Sequence, residues 1–283
     1  MTDASGTAHD TVAETLFIVT VPGATPSKWV ERFTSRHRAV QLVNQDEAAQ
    51  IAHLRPAAEG ELPRGIPQLG YVRWRLDASS SEVLAAAGIE PEQVHVVTLY
   101  QEQPVVCVGR DHVLAAWDSD VDGPLPAAEL EALDDAQVDP RDFAPVVAPE
   151  ADPLDVPEQP GAGERMALEI VASGAGYTVL PASVARMFGR RDLVTLPLEP
   201  SAAHPGWQVA LAWRRDLDSE LVQDFIGVAR GRRPSSSRSS AVPEQRQQKQ
   251  EKPSKKQPAP KTGKKGAKGA KTTAKKGTRG RRR

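Results

Sequence analysis

TLFIVTV, Thr15–Val21, is a β-branched apolar run that stops at Pro22 and Gly23, passes into the helical pattern TPSKWVERF, and is followed by a second apolar run, AVQLV. Strand, helix, strand in so short a span constrains the fold more than any other feature. Two strands joined by a crossover helix pair in parallel, and such a sheet needs cover on its faces. Within the helical pattern Thr25 can cap, Pro26 suits the first helical position, and Trp29, Val30 and Phe33 share one face. The chain therefore opens as an α/β protein.

The same grammar continues. AAQIAHL predicts a helix, EGELPRGIPQ a loop, LGYVRW a strand ending near Trp74, and SSSEVLAAAG a short helix stopped by Gly88. VHVVTLY and PVVCVG predict two strands separated by the polar QEQ. Proline-rich, acidic sequence fills Asp118 to Gly163 around one helical island, PAAELEALDD. Beyond it Met166, Ala167, Ile170 and Val171 make a helical face that ends at Gly174 and Gly176, and YTVL, a helix opened by Pro181, the strand DLVTL and the strand WQVALAW follow. DSELVQDFIGVAR closes the body as a helix with Asp218 at its cap.

Folding ends there. Residues 231–283 hold 19 Lys and Arg against two Glu, a local net charge of +17, so with a formal net charge of −1 overall the first 230 residues carry −18. The tail's one strongly apolar residue is Val242 and it has no aromatic, so it cannot bury enough surface to offset the entropy of ordering; disorder is the expectation. Closely spaced cations bind polyanions by counterion release, which predicts weak, nonspecific, salt-sensitive nucleic-acid binding by Lys264, Lys265, Lys268, Lys271, Lys275, Lys276, Arg279, Arg281, Arg282 and Arg283. A solubilising role is the competing reading, and a tail folded back on the acidic body would make nucleic acid compete with the protein's own surface.

Other classes are disfavoured. The N-terminus MTDASGTAHD lacks the basic and apolar regions of a signal peptide, and no run approaches a membrane span, so a soluble cytoplasmic protein is expected, with nucleoid association through the tail. The single cysteine, Cys107, lies in an apolar strand and reads as a buried thiol. His9, His37, His53, His95, His112 and His204 form no H-x-x-x-H pair, and no G-x-S-x-G, P-loop or G-x-G-x-x-G is present. A non-enzymatic protein without a cofactor is the expectation. DSDVDGPLPAAE does fit a calcium-loop spacing, with Asp118, Asp120, Asp122, Gly123 and Glu129 in register. The segment before it reads as strand and turn rather than an entering helix, and Pro126 occupies the ninth position, so a solvated acidic turn is the other reading and no metal is assigned.

Three segments carry a resemblance. MALEIVASGAGYTVLPASVARMFGRRDLVTLPL, VTLYQEQPVVCVGRDHVLA and LFIVTVPGATPSKWVERFTSRHRAVQLV resemble, in the expected order, the late segment, the crossover and the first βαβ unit of the effector-binding domain of LysR-type transcriptional regulators. The resemblance implies two Rossmann-like α/β lobes as in type 2 periplasmic binding proteins. Lobe one would take about 16–99 and 206–230, and lobe two about 100–205, between a disordered N-terminus (1–15) and the tail. It also implies a small-molecule effector in the cleft and a homodimer of effector domains. The family's winged helix-turn-helix has no counterpart among the polar residues before Thr15, so sequence reading by that motif is not expected here.

Mapped onto that cleft, the turn Pro22, Gly23 and Ala24 with Thr25 and Ser27 would aim N–H groups at a ligand carboxylate. Arg73 and Trp74 would add a charge and an aromatic wall, and Glu102, Gly174, Gly176 and Tyr177 complete the candidate ligand-binding set. The leading expectation is a non-enzymatic, carboxylate-sensing protein with a nucleic-acid-binding tail. The alternative is a nucleoid-associated or scaffold protein with a vestigial cleft.

Overall fold

The computed structural model describes residues 15–35, 39–55, 67–146 and 159–231. The segment 1–14 and the tail from 232 onward, with all the basic residues named above, lie outside the described residues.

Two sheets organise the described chain. The first has strand order β2-β1-β3-β8-β4, built from β1 (Thr15–Thr20), β2 (Ala39–Asn44), β3 (Leu69–Arg75), β4 (Val94–Glu102) and β8 (Trp207–Arg214). β1 pairs in parallel with β2 and β3, as the opening βαβ pattern requires, whereas β8 returns antiparallel between β3 and β4. The second has order β6-β5-β7, with β5 (Pro104–Gly109) antiparallel to both β6 (Tyr177–Pro181) and β7 (Leu193–Pro197).

Period-two alternation explains why each sheet carries two cores. In the first, Leu16, Ile18, Tyr71 and Leu211 face α1 (Ser27–Thr34) and α7 (Glu220–Ala229), while Val72, Trp74, Ala210 and Ala212 face α2 (Ser80–Ala86) and the turn at Leu54. In the second, Val105 and Cys107 pack under α5 (Ala162–Ala172) and α6 (Ala182–Met187), and Val106 and Val108 face the opposite core with Leu125 and Leu130. Burial pushes the Cys107 thiol up to about 11, which suits a packing residue rather than a nucleophile.

Three local expectations need correction. AAQIAHL is not a helix: it forms two 3-10 turns, Glu47–Ala49 and Ala52–Leu54. Tertiary contacts override its propensity, because the Gln50 amide both accepts from Arg73 N–H at 2.6 Å and donates to Arg73 C=O at 2.9 Å, occupying the backbone of β3 beyond its pairing with β1. The His53 ring then fills the space above Gly70, where a Cβ would lie 2.3 Å from it, and its Nε2 lies 3.2 Å from Ala212 C=O. Thr25 does not cap α1, whose N-cap is Pro26 without a side-chain bond, and Ser219 rather than Asp218 caps α7. Asp218 instead accepts from Trp213 Nε1 and Gln223 Nε2.

The acidic stretch holds two short helices, α3 (Ser119–Asp122) and α4 (Ala127–Glu131). Asp118 accepts from Asp120 N–H at 3.0 Å and so caps α3. Among the described residues no group of three or more His, Cys, Asp or Glu is arranged to hold a metal ion. No helix among them is long and apolar enough to cross a membrane.

Candidate functional site

β4 ends at Glu102 and β5 starts at Pro104, so a single residue, Gln103, carries the chain from one sheet to the other, and β8 brings it back beside Glu102 through Trp207. Around this crossing the C-terminal ends of β3 and β6 converge, the edge at which open α/β sheets present loops to ligands.

Arg73, on β3, lies at the centre with a fully buried side chain. Its Nη1 donates to Glu47 Oε2 at 2.9 Å and its Nη2 to the Pro22 carbonyl at 2.9 Å. Nε lies 3.0 Å from Glu102 Oε2, an ion-pair contact that is not aligned as a hydrogen bond. A longer bond, 3.3 Å, runs from Nη2 to Ser183 Oγ on α6 and so ties one sheet's strand to the other sheet's helix. Burial works against the charge, but Glu47 and Glu102 more than offset it and the guanidinium pKa is raised.

The seam is closed beside Arg73. The Gly23 N–H donates to Met187 Sδ at 3.1 Å, and with φ at 78° and a notional Cβ 2.8 Å from backbone atoms of Ser183 and Val184, this turn has room for glycine alone. Asp46 accepts from the Gly161 N–H ahead of α5, a further contact across the seam.

On the other side of Arg73 the two sheets leave a cavity of about 660 Å³. That volume suits a small organic molecule. Trp74 and Trp207 supply aromatic wall, and Val179, Leu180 and Pro181 at the end of β6 supply apolar wall. Asp46, Glu47, Asp139 and Glu164 line it as acids, Arg75 and Arg141 as bases. Both bases are occupied: Arg75 chelates Asp77 and donates to the Ala203 carbonyl, and Arg141 chelates Asp139. Those bonds hold the Asp77 and Asp139 carboxyls below the usual range. His204, which also lines the cavity, is held low by burial and by Arg75 and is therefore neutral near pH 7. Glu164, in the first turn of α5, accepts from its own backbone N–H and, among the described residues, from no other group; burial, and then the neighbouring Glu47 and Asp46, push its carboxyl up to about 7.

Of the residues expected from sequence, Trp74 lines this cavity, and Arg73, Glu102 and Pro22 meet in the knot beside it. Gly23 and Ala24 are packed into the closed seam and the first core, and Thr25 and Ser27 are exposed outside the cavity. Gly174, Gly176 and Tyr177 stand at the opposite end of the second sheet. β6 runs antiparallel to β5, so Tyr177 pairs with Val108 far along that strand, and Pro181 pairs with Pro104 at the crossing. The acids, Arg75, Arg141, His204 and Trp207 were missed. A signal existed for Asp46 and Glu47: they stand just past Asn44, the last residue of a parallel strand, at the strand end where ligands bind.

Residues 164–233 match the family model of the LysR substrate binding domain. Among solved structures, the chain is similar to the BenM effector binding domain with its effector benzoate, at 18% identity over 77% of this chain and 90% of that one, with a TM-score of 0.50. The fold is that of a LysR effector-binding domain. Full-length BenM is matched at 17% identity over 77% of this chain and 67% of its own, also with a TM-score of 0.50. No curated protein matches the chain in sequence. In this LysR-type fold the two sheets are the paired α/β halves of the type 2 periplasmic-binding-protein class, and the cavity lies between them.

Proposed function

We propose that the chain is a non-enzymatic sensor that binds a small-molecule effector in the cleft between its sheets. One observation carries this reading: a cavity of about 660 Å³, walled by two tryptophans and by residues of both sheets, at the strand ends beside the crossing. Its size and its mixture of apolar wall with a few charged groups are those of a ligand site. No nucleophile and base pair lines it, which favours binding over catalysis among the described residues.

Thermal unfolding of the intact protein against aromatic and aliphatic carboxylates, amino acids and amines tests it. A true effector at a hundred times its dissociation constant adds about 2.7 kcal/mol, several degrees for a domain of this size. Absence of a shift across the panel overturns the reading. The same panel decides the carboxylate expectation, which rested on helix-end N–H groups at Thr25 and on Arg73.

The tail supports a second role that leaves the first intact. A charge of +17 over residues 231–283 suits nonspecific nucleic-acid binding, with log K falling linearly against log salt. Replacing Lys264, Lys265, Lys268 and Lys271 by Gln is expected to lower the slope by about 3 to 4. An unchanged slope overturns the tail reading. Pairing of effector domains in a homodimer, implied by the likeness to the LysR-type fold, belongs to the same proposal and is checked by sedimentation.

A further inference from the structure

We infer that the cleft takes a positively charged ligand, an amine with a flat apolar body, whose ammonium is held by Glu164. This deepens the effector-binding reading and rests on it. The inference starts from the cavity's own charge balance.

A carboxylate ligand would need a cation or free N–H groups, and neither the guanidinium groups at the cavity nor the turn after β1 supplies them. Arg73 is enclosed by Glu47, Glu102 and the Pro22 carbonyl, without access to the cavity. Arg75 is chelated by Asp77 and Arg141 by Asp139. His204 is neutral near pH 7. In the turn after β1, the Gly23 N–H is taken by Met187 and the Ala24 N–H by the Val21 carbonyl. An anion seeking either cavity guanidinium would have to displace a protein carboxylate from it.

A cation meets the opposite situation. Around Arg73 one positive charge faces two negative ones, and Glu47 turns its flank to the cavity. Asp46 uses an oxygen on Gly161. Glu164 lines the cavity without a side-chain partner among the described residues, and a carboxyl held near neutrality by burial and by acidic neighbours gains most from an arriving ammonium. Trp74 and Trp207 complete the match, since indole faces attract cations and accept flat apolar bodies.

Three probes that share an indole ring and differ in charge separate the outcomes: tryptamine, indole-3-ethanol and indole-3-acetate, titrated calorimetrically into the intact protein. Tryptamine is expected to bind on the order of tenfold tighter than the alcohol, with the acetate weakest. Glu164→Gln is expected to bring tryptamine to the alcohol's affinity while leaving the alcohol unchanged, which also excludes a general folding defect. Acetate binding tighter than tryptamine, or a tryptamine advantage that survives Glu164→Gln, overturns the charge assignment and leaves the sensor reading standing. Lack of saturable binding by all three overturns the aromatic amine, and the broader unfolding panel then decides separately whether the sensor reading falls with it.

Discussion

Arg73, fully buried, and Glu164, half-buried, are both ionisable groups at the seam between the sheets, and both favour the protonated form, which charges the one and neutralises the other. Arg73 keeps its charge because two carboxylates face it. Glu164 gives up part of its charge near neutral pH because burial and two other acids outweigh its own backbone bond and the more distant pull of Arg73. The contrast shows where the protein has completed its own electrostatics and where it has left a vacancy of one sign. The knot holds the sheets together, and the cavity beside it is open to a partner of positive charge.

The largest effect is expected at the knot. Arg73→Met removes the buried cation and strands Glu47 and Glu102, an uncompensated burial that costs about 3–5 kcal/mol. Urea unfolding measures it. Adding Glu102→Gln to Arg73→Met should recover part of the loss, because the penalty belongs to the orphaned carboxylate. If the double variant is no more stable than the single one, lost packing rather than charge accounts for the effect.

Next in size is His53, a buried group with no charged partner among the described residues. It is fully buried and its pKa falls from 6.5 to about 4, through desolvation that two backbone contacts only partly oppose. Between those values the unfolded chain binds more protons than the folded one. Stability therefore rises with pH from about 4 to 6.5 and is fully present above, with a total near 3 kcal/mol. Denaturant unfolding from pH 4 to 7 checks the slope, and His53→Gln should remove it.

These two residues also mark how far the sequence could be read. The α/β plan was legible because the apolar runs alternate with helical patterns and stop at Pro22, Gly88 and Gly174, features that depend on neighbours in sequence, whereas its division into two halves came from the resemblance to LysR effector domains. AAQIAHL failed as a helix because Gln50 and His53 are claimed by β3 and β8, which lie distant along the chain. The candidate site was half legible for the same reason. Trp74 could be placed by its strand end, but Arg73 reads as a free charge until Glu47 and Glu102 are seen on either side of it. Tyr177 and its glycines were assigned to the cleft because direction along β6 is not written in a strand pattern: only the antiparallel pairing with β5 sends them to the far end.

Glu164 should act in the opposite sense to His53. Its pKa is raised from 4.5 to about 7, so its contribution is fully present below 4.5 and is lost as pH rises through 7. After allowance for its partial access to solvent, Glu164→Gln should stabilise the protein by about 1–2 kcal/mol at pH 8 and leave it unchanged at pH 4. Because the two slopes oppose one another between 4.5 and 6.5, the wild-type profile should be flatter there than that of Glu164→Gln. A variant profile as flat as wild type would mean that Glu164 already has a cationic partner in solution.

The smallest effect is expected where the two regions touch. Ser183 Oγ accepts from Arg73 Nη2 at 3.3 Å, a long bond that adds to three shorter contacts on the same guanidinium. Arg73 keeps its charge and its two carboxylates in Ser183→Ala, so only about 0.5–1 kcal/mol of stability should be lost. The bond nonetheless runs from a strand of one sheet to a helix of the other, whereas the contacts to Glu47 and Pro22 stay within the first. Its loss should therefore appear more in how fast a ligand enters and leaves the cleft than in the small change in unfolding. Stopped-flow fluorescence of Trp74 and Trp207 with tryptamine reads that difference: unchanged rates beside unchanged stability would show that Gly23 and Asp46 hold the seam without Ser183.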